Sequence, residues 1–236
     1  MSKISNQQGR DVQKNGISGY TRVIGNNELG QLLSRVQACV ISNGNELEKL
    51  LISRCSIIED IDIFIKNVEK NNIQQGTFLC TKRILKQTQK YKEVIKGIEP
   101  DMIIFIVSNF RICKIIELKD GDMFDTKKVK GEKANLITFT EKFGAKIPFS
   151  TDYYICCFNQ NNKEVIKEGM KNEFELEHIM TGKELCEILN IEYQEILNIR
   201  KKDMEDNFNY FIEELLKIPE VLEKIKQISY PLCKNE

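Results

Sequence analysis

Three residues of this sequence have the types and spacing to assist hydrolysis of a phosphate ester: Asp101, directly after Pro100, and the pair Glu117 and Lys119, two positions apart. The apolar, β-branched runs at 102–107 and 112–118 are separated by Ser108-Asn109-Phe110-Arg111, a pattern that predicts an antiparallel hairpin. In such a pair the start of one strand lies beside the finish of the next, and residues two apart share a face. The three side chains therefore converge at one end of a sheet. Two carboxylates there would bind a Mg²⁺ ion through oxygen, with water and a phosphate completing the shell. The ion would lower the pKa of a bound water, and the lysine would orient or deprotonate that water or neutralise phosphate charge. Taken singly, the same residues also read as ordinary solvated strand ends.

The wider segment narrows this. GIEPDMIIF followed by KIIELKDGDMFDTKK resembles the active-site hairpin of the PD-(D/E)XK nuclease superfamily, and especially that of type II restriction endonucleases. The resemblance is sharp over about residues 97–132, weaker over 43–55 and generic in the last third. It implies a metal-dependent deoxyribonuclease that cuts double-stranded DNA at a short recognition sequence, with Asp101, Glu117 and Lys119 catalytic. Asp101 and Glu117 would be the metal ligands, Mg²⁺ the cofactor with Mn²⁺ able to replace it, and a homodimer on a palindromic site the working form. The family commonly adds a glutamate from an early helix, and NGNELEKLLISRC offers Glu46 or Glu48. At 100° per residue Glu48 falls between Ile52 and Cys55, on the apolar side, whereas Glu46 falls beside Lys49 and Ser53. Glu48 is the inward candidate and joins the catalytic set that the resemblance implies, its alternative being a boundary glutamate on an amphipathic helix.

Around this centre stand candidate DNA contacts. Lys82, Lys86 and Lys90 repeat at four-residue spacing and would line one face of a helix in the basic segment 81–96, touching the backbone without reading bases. Lys127 and Lys128 lie just past the catalytic strand, where a phosphate near the scissile bond is within reach. Solvated basic faces are the alternative for both groups. Asp120 and Asp122 read as turn residues rather than ligands.

The elements that must position these residues follow from periodicity. Residues 1–27 are polar and read as an irregular arm. Leu29, Leu32, Leu33, Val36, Cys39 and Val40, then Leu47, Leu50, Leu51 and Cys55, recur at helical spacing, as two helices or one interrupted at Asn43-Gly44. Further helices are expected over 57–69, 127–143, 181–189, 193–197 and 203–228, the last interrupted near Pro219, and a third strand over 153–158. The order makes a mixed α/β domain; the resemblance makes it a restriction-endonuclease-like mixed central sheet flanked by helices, with a helical C-terminal region. Residues 28–236 form one nuclease domain, its catalytic core at about 43–160 and its helical part at about 165–236. The pair of helices near Thr181-Gly182-Lys183 lacks the basic second helix of a DNA-reading helix-turn-helix.

Composition excludes several classes. With 35 basic and 35 acidic residues in 236, the chain has no global charge with which to coat DNA, so any nucleic-acid surface is local. Its single histidine, His178, cannot build a multi-histidine metal site, though it could act as an isolated base. The eight cysteines lack CxxC spacing and sit in apolar runs, as buried thiols would. No apolar run approaches a membrane span and the start lacks a signal peptide's hydrophobic segment, so a cytoplasmic protein with no membrane partner is expected. No phosphate-binding GxxxxGK[ST] loop is present. Two other readings stand beside a restriction enzyme: a repair, recombination or mobile-element nuclease with the same chemistry, and a non-catalytic DNA-binding module.

Overall fold

The computed structural model describes residues 3–8 and 17–229. It divides into two compact units, one holding the described residues up to Leu47 and from Gln194 onward, the other Glu48–Tyr193. Of the arm expected at 1–27, residues 1, 2 and 9–16 lie outside the described residues. The rest is not wholly irregular, because helix α1 (Gly19–Ile24) forms there, with the Ser18 hydroxyl accepting from Thr21 N–H and Gly25 leaving it in the left-handed region at φ 81°. Helix α2 (Asn27–Ile52) runs through Asn43-Gly44 without a break. One glycine costs a helix only about 1 kcal/mol, which neighbouring apolar turns offset.

In the unit Glu48–Tyr193, helix α3 (Ile61–Glu69) starts at Asp60, whose carboxylate accepts from Ile63 N–H. Strand β1 (Gly76–Thr81) leads straight into two single-turn helices, α4 (Lys82–Leu85) and α5 (Lys92–Ile95). The hairpin follows as β2 (Met102–Val107) and β3 (Arg111–Lys119), and then helix α6 (Thr126–Gly144), capped by Asp125. Strand β4 (Ser150–Cys157), helix α7 (Lys163–Gly169), the three-residue strand β5 (Ile179–Thr181) and helix α8 (Gly182–Leu189) complete it. A capping box opens α8, with Thr181 and Glu184 bonding each other's backbone N–H. In the other unit, helix α9 (Tyr193–Leu216) joins the two helical stretches expected separately at 193–197 and from 203, and α10 (Pro219–Ser229) begins at the proline.

The strands lie in the order β1-β2-β3-β4-β5, antiparallel across β1/β2/β3 and parallel across β3/β4/β5. A hairpin turn is enough for the antiparallel pairs, while α6 supplies the crossover that a parallel β3/β4 pair needs. One face of the sheet presents Cys80, Ile103, Phe105, Cys113, Ile115, Ile155 and Cys157 to Ile61, Phe64, Ile65 and Val68 of α3 and to Val129, Leu136, Phe139 and Phe143 of α6. The opposite face carries Leu79, Met102, Ile104, Ile116, Cys156 and Met180, all buried, with α8 packed over β4 and β5. This is the mixed central sheet flanked by helices that was expected. The described cysteines are all free thiols, and burial raises most of those whose titration is perturbed to about 11 or above. Cys233 lies outside the described residues.

Candidate active site

The hairpin register places the three candidate residues. Met102 pairs with Ile116, so Asp101, one residue earlier, comes level with Glu117. Its carboxylate is anchored there, Oδ2 accepting from the Leu118 backbone N–H at 3.0 Å, while its carbonyl accepts from Lys82 N–H at 3.2 Å. Glu117 and Lys119 project from the face of β3 that carries Cys113 and Ile115, toward α6. Parallel pairing sets them beside Ile155 and Cys157 of β4. The site thus stands at the end of the central strand, with an antiparallel neighbour on one side and a parallel one on the other.

Two carboxylates hold Lys119. Its Nζ donates to Glu117 Oε1 at 2.6 Å and to Glu132 Oε1, from α6, at 3.0 Å. Burial works to lower Lys119, but the charges of Glu117 and Glu132 outweigh it, and the ammonium is held above its ordinary range. Glu117 moves the opposite way to an ordinary ion-paired carboxylate: burial first, then the charge of Asp101, push it up to about 7 against the pull of Lys119. Glu48 stands half-buried within electrostatic reach of Asp101, and burial and that charge raise it too, while Lys82 and Lys49 act to lower it. Lys82 Nζ lies 3.9 Å from Asp101 Oδ1. Four carboxylates (Glu48, Asp101, Glu117 and Glu132) are therefore set against three ammonium groups, Lys49, Lys82 and Lys119. Mutual repulsion already shows on Glu48 and Glu117.

That surplus negative charge, on oxygen donors only, suits a hard divalent cation. Asp101 and Glu117, level with each other in the hairpin register, could supply oxygens to one. Among the described residues no cluster of three or more histidine, cysteine, aspartate or glutamate side chains has the closeness to hold a metal ion. Glu48 is thus near Asp101 without joining it and Glu117 in a ready three-residue ligand set.

The lysines expected to touch DNA are placed unevenly. Lys82 lies beside Asp101, as above. Lys86 and Lys90 do not share a helix face with it, because α4 lasts one turn and the chain bends through 86–91 before α5. The cause is Asp62, whose carboxylate accepts from the backbone N–H of Gln89 at 2.9 Å and of Lys90 at 3.2 Å and from the Thr88 hydroxyl, pinning a turn where spacing suggested a helix. Lys86 is exposed, and Lys90 faces Glu69 at 3.7 Å and the ring of Tyr91. Lys127 and Lys128 occupy the first turn of α6, both exposed, with Lys128 Nζ over the ring of Phe124 at 5.5 Å from its centre. Asp120 and Asp122 brace the intervening turn, accepting from Asn159 and Gln160. His178 stacks on Tyr153, rings 4.0 Å apart, with Nδ1 at 3.1 Å from the Tyr153 carbonyl oxygen.

Glu132 is the residue that spacing did not single out. The signal for it was a carboxylate standing in the apolar stripe of α6 between Val129 and Leu136.

No protein-family model matches the sequence, and no solved structure matches it. The type II restriction enzyme HhaII of Haemophilus parahaemolyticus is 64% identical over 228 residues, an alignment that spans 96% of this chain and 99% of that protein.

Proposed function

The chain belongs to the type II restriction enzymes, and we propose that it is a PD-(D/E)XK member of them, a Mg²⁺-dependent homodimer that cleaves both strands of DNA at a short recognition sequence. Identity along almost the whole length supports site-specific DNA cleavage, since both the catalytic segment and whatever surfaces read the bases fall within the alignment. The observation that carries the catalytic reading is the convergence of Asp101, Glu117 and Lys119 at one end of the β2/β3 hairpin, in a pocket of surplus negative charge. Solvated strand ends would not raise a glutamate to about 7. A twofold protein matches a twofold duplex site, which supports the dimer. Among the described residues no helix is long and apolar enough to cross a membrane.

Asp101 and Glu117 would hold the Mg²⁺ ion through carboxylate oxygens. When bound, the ion supplies a more acidic water and positive charge against the phosphate. Lys119, held between its two carboxylates, would donate a hydrogen bond and place its charge at the phosphoryl oxygens, or would orient or deprotonate the water. The anchored Asp101 needs no reorganisation to take its place. Lys82, Lys127 and Lys128 flank this end of the sheet and are the nearest candidates for phosphate contact, with Lys86 and Lys90 further along the same segment; Glu48 adjusts the charge around Asp101.

The test is to incubate the purified protein with plasmid and phage DNA in Mg²⁺, in Mn²⁺ and with chelator, and to sequence the fragment ends. Discrete fragments sharing one short terminal motif, absent with chelator, are expected. Intact DNA in both metals would overturn the proposal.

A further inference from the structure

Glu132 occupies a position on α6 where packing alone would place an apolar side chain. The buried residues of that helix are Val129, Leu136, Phe139 and Phe143, and Glu132 fits between the first two at the spacing that keeps it on their stripe. Its side chain is 25% exposed and its neighbours on the stripe are apolar, so a leucine would pack there without loss. Fold stability therefore does not account for it.

We infer that Glu132 is a positioning residue for DNA cleavage, holding the Lys119 ammonium in place so that Glu117 is free to bind the cation; this rests on the reading of Asp101, Glu117 and Lys119 as the cleavage site. An ammonium has three donors. Glu117 and Glu132 each take one of Lys119's, at 2.6 and 3.0 Å, leaving one for a phosphate oxygen or water. Glu117 cannot hold Lys119 at full strength and also neutralise a divalent ion, because both draw on the same carboxylate charge. Glu132 comes from a different element, so its grip on Lys119 persists when Glu117 turns to the metal. Lys119 is thereby kept aimed by α6 while β3 and the residue before β2 supply the ligands.

The experiment compares the native enzyme with Glu132→Leu, Glu132→Gln, Lys119→Ala and the Lys119→Ala/Glu132→Leu double variant in single-site cleavage. Glu132→Leu is expected to unfold at the native temperature or higher, yet to lose about 10- to 100-fold in kcat, the worth of one charge-assisted hydrogen bond, with KM and the half-saturating Mg²⁺ concentration little changed. Glu132→Gln, whose amide oxygen still accepts from Lys119, should keep most of the activity. The double variant should be no slower than Lys119→Ala alone, because both changes remove one interaction. Native-rate cleavage by Glu132→Leu would overturn the inference while leaving the cleavage site standing, provided Lys119→Ala is inactive. So would recovery of Glu132→Leu at high Mg²⁺, which would make Glu132 a ligand, or a Glu132→Gln variant as slow as Glu132→Leu. Full activity of Lys119→Ala would overturn both the site and this inference.

Discussion

Two lysine–glutamate pairs in this molecule share one contact distance while their glutamates shift in opposite directions. Lys119 meets Glu117 at 2.6 Å at the end of β3, and Lys217 meets Glu214 at 2.6 Å at the end of α9. The Lys217 side chain is 69% exposed, and its hydrogen bond holds Glu214 below the usual carboxylate range. The Lys119 side chain is 14% exposed and its partner 12%, yet Glu117 is pushed up to about 7 by burial and by Asp101. Contact distance is thus a poor guide to what a charged pair does. Water decides the Lys217–Glu214 pair, leaving a surface ion pair of little energetic weight. The Lys119–Glu117 pair is decided by the loss of water and by further carboxylates, which leave a cluster short of positive charge.

The contrast is broken most forcefully by removing its charged centre. Asp101→Ala and Lys119→Ala should each lower cleavage on the order of a thousandfold, the scale of losing a metal ligand or a transition-state donor, while Lys217→Ala should cut DNA at the native rate. Single-turnover assays separate these outcomes.

Acid sharpens it next. Mg²⁺ can bind Glu117 only as the carboxylate, so below about pH 7 the half-saturating Mg²⁺ concentration should rise by roughly tenfold per unit as the ion competes with a proton. Metal titrations of cleavage at successive pH values would show this slope. A requirement flat across that range would mean that Glu117 does not take part.

Stability should respond in the opposite sense to a normal carboxylate. The folded pKa of Glu117 lies above the ordinary value of 4.5, so between that value and about 7 the native state binds more protons than the unfolded state. Stability of the metal-free protein therefore falls as pH rises through this window. Glu117→Gln should flatten that slope in denaturant unfolding and stabilise the metal-free protein by about 1 kcal/mol at neutral pH, at the expense of activity. Glu214 has the reverse sign, its contribution being lost as pH falls, and Glu214→Gln should change neither cleavage nor the unfolding midpoint detectably.

The same contrast explains what could be read from residues alone. The hairpin was legible because the runs at 102–107 and 112–118 are β-branched and have a turn between them, and antiparallel pairing then determines which ends meet. Asp101, Glu117 and Lys119 were brought together for that reason. Glu48 was chosen over Glu46 by helical phase, and it stands within electrostatic reach of Asp101. Spacing failed where a distant side chain overrode it. Asp62, some twenty-five residues upstream, ends the helix that Lys82, Lys86 and Lys90 would have shared. Strand β1 was missed because its six residues run directly into lysines, and β5 because three buried residues carry no period. Glu132 was hidden differently: its meaning lies in a breach of the α6 stripe, visible only when Lys119 is known to lie across from it.

The proposed DNA-cleaving centre lies at one end of the β2/β3 hairpin. Its most direct test is Asp101→Ala, because that side chain is anchored by a backbone hydrogen bond rather than by packing, and its loss should spare the fold. The variant would be compared with the native enzyme for binding to the recognised duplex without metal and for cleavage of it in Mg²⁺. Binding retained with cleavage abolished is the predicted result; cleavage at the native rate would contradict the account.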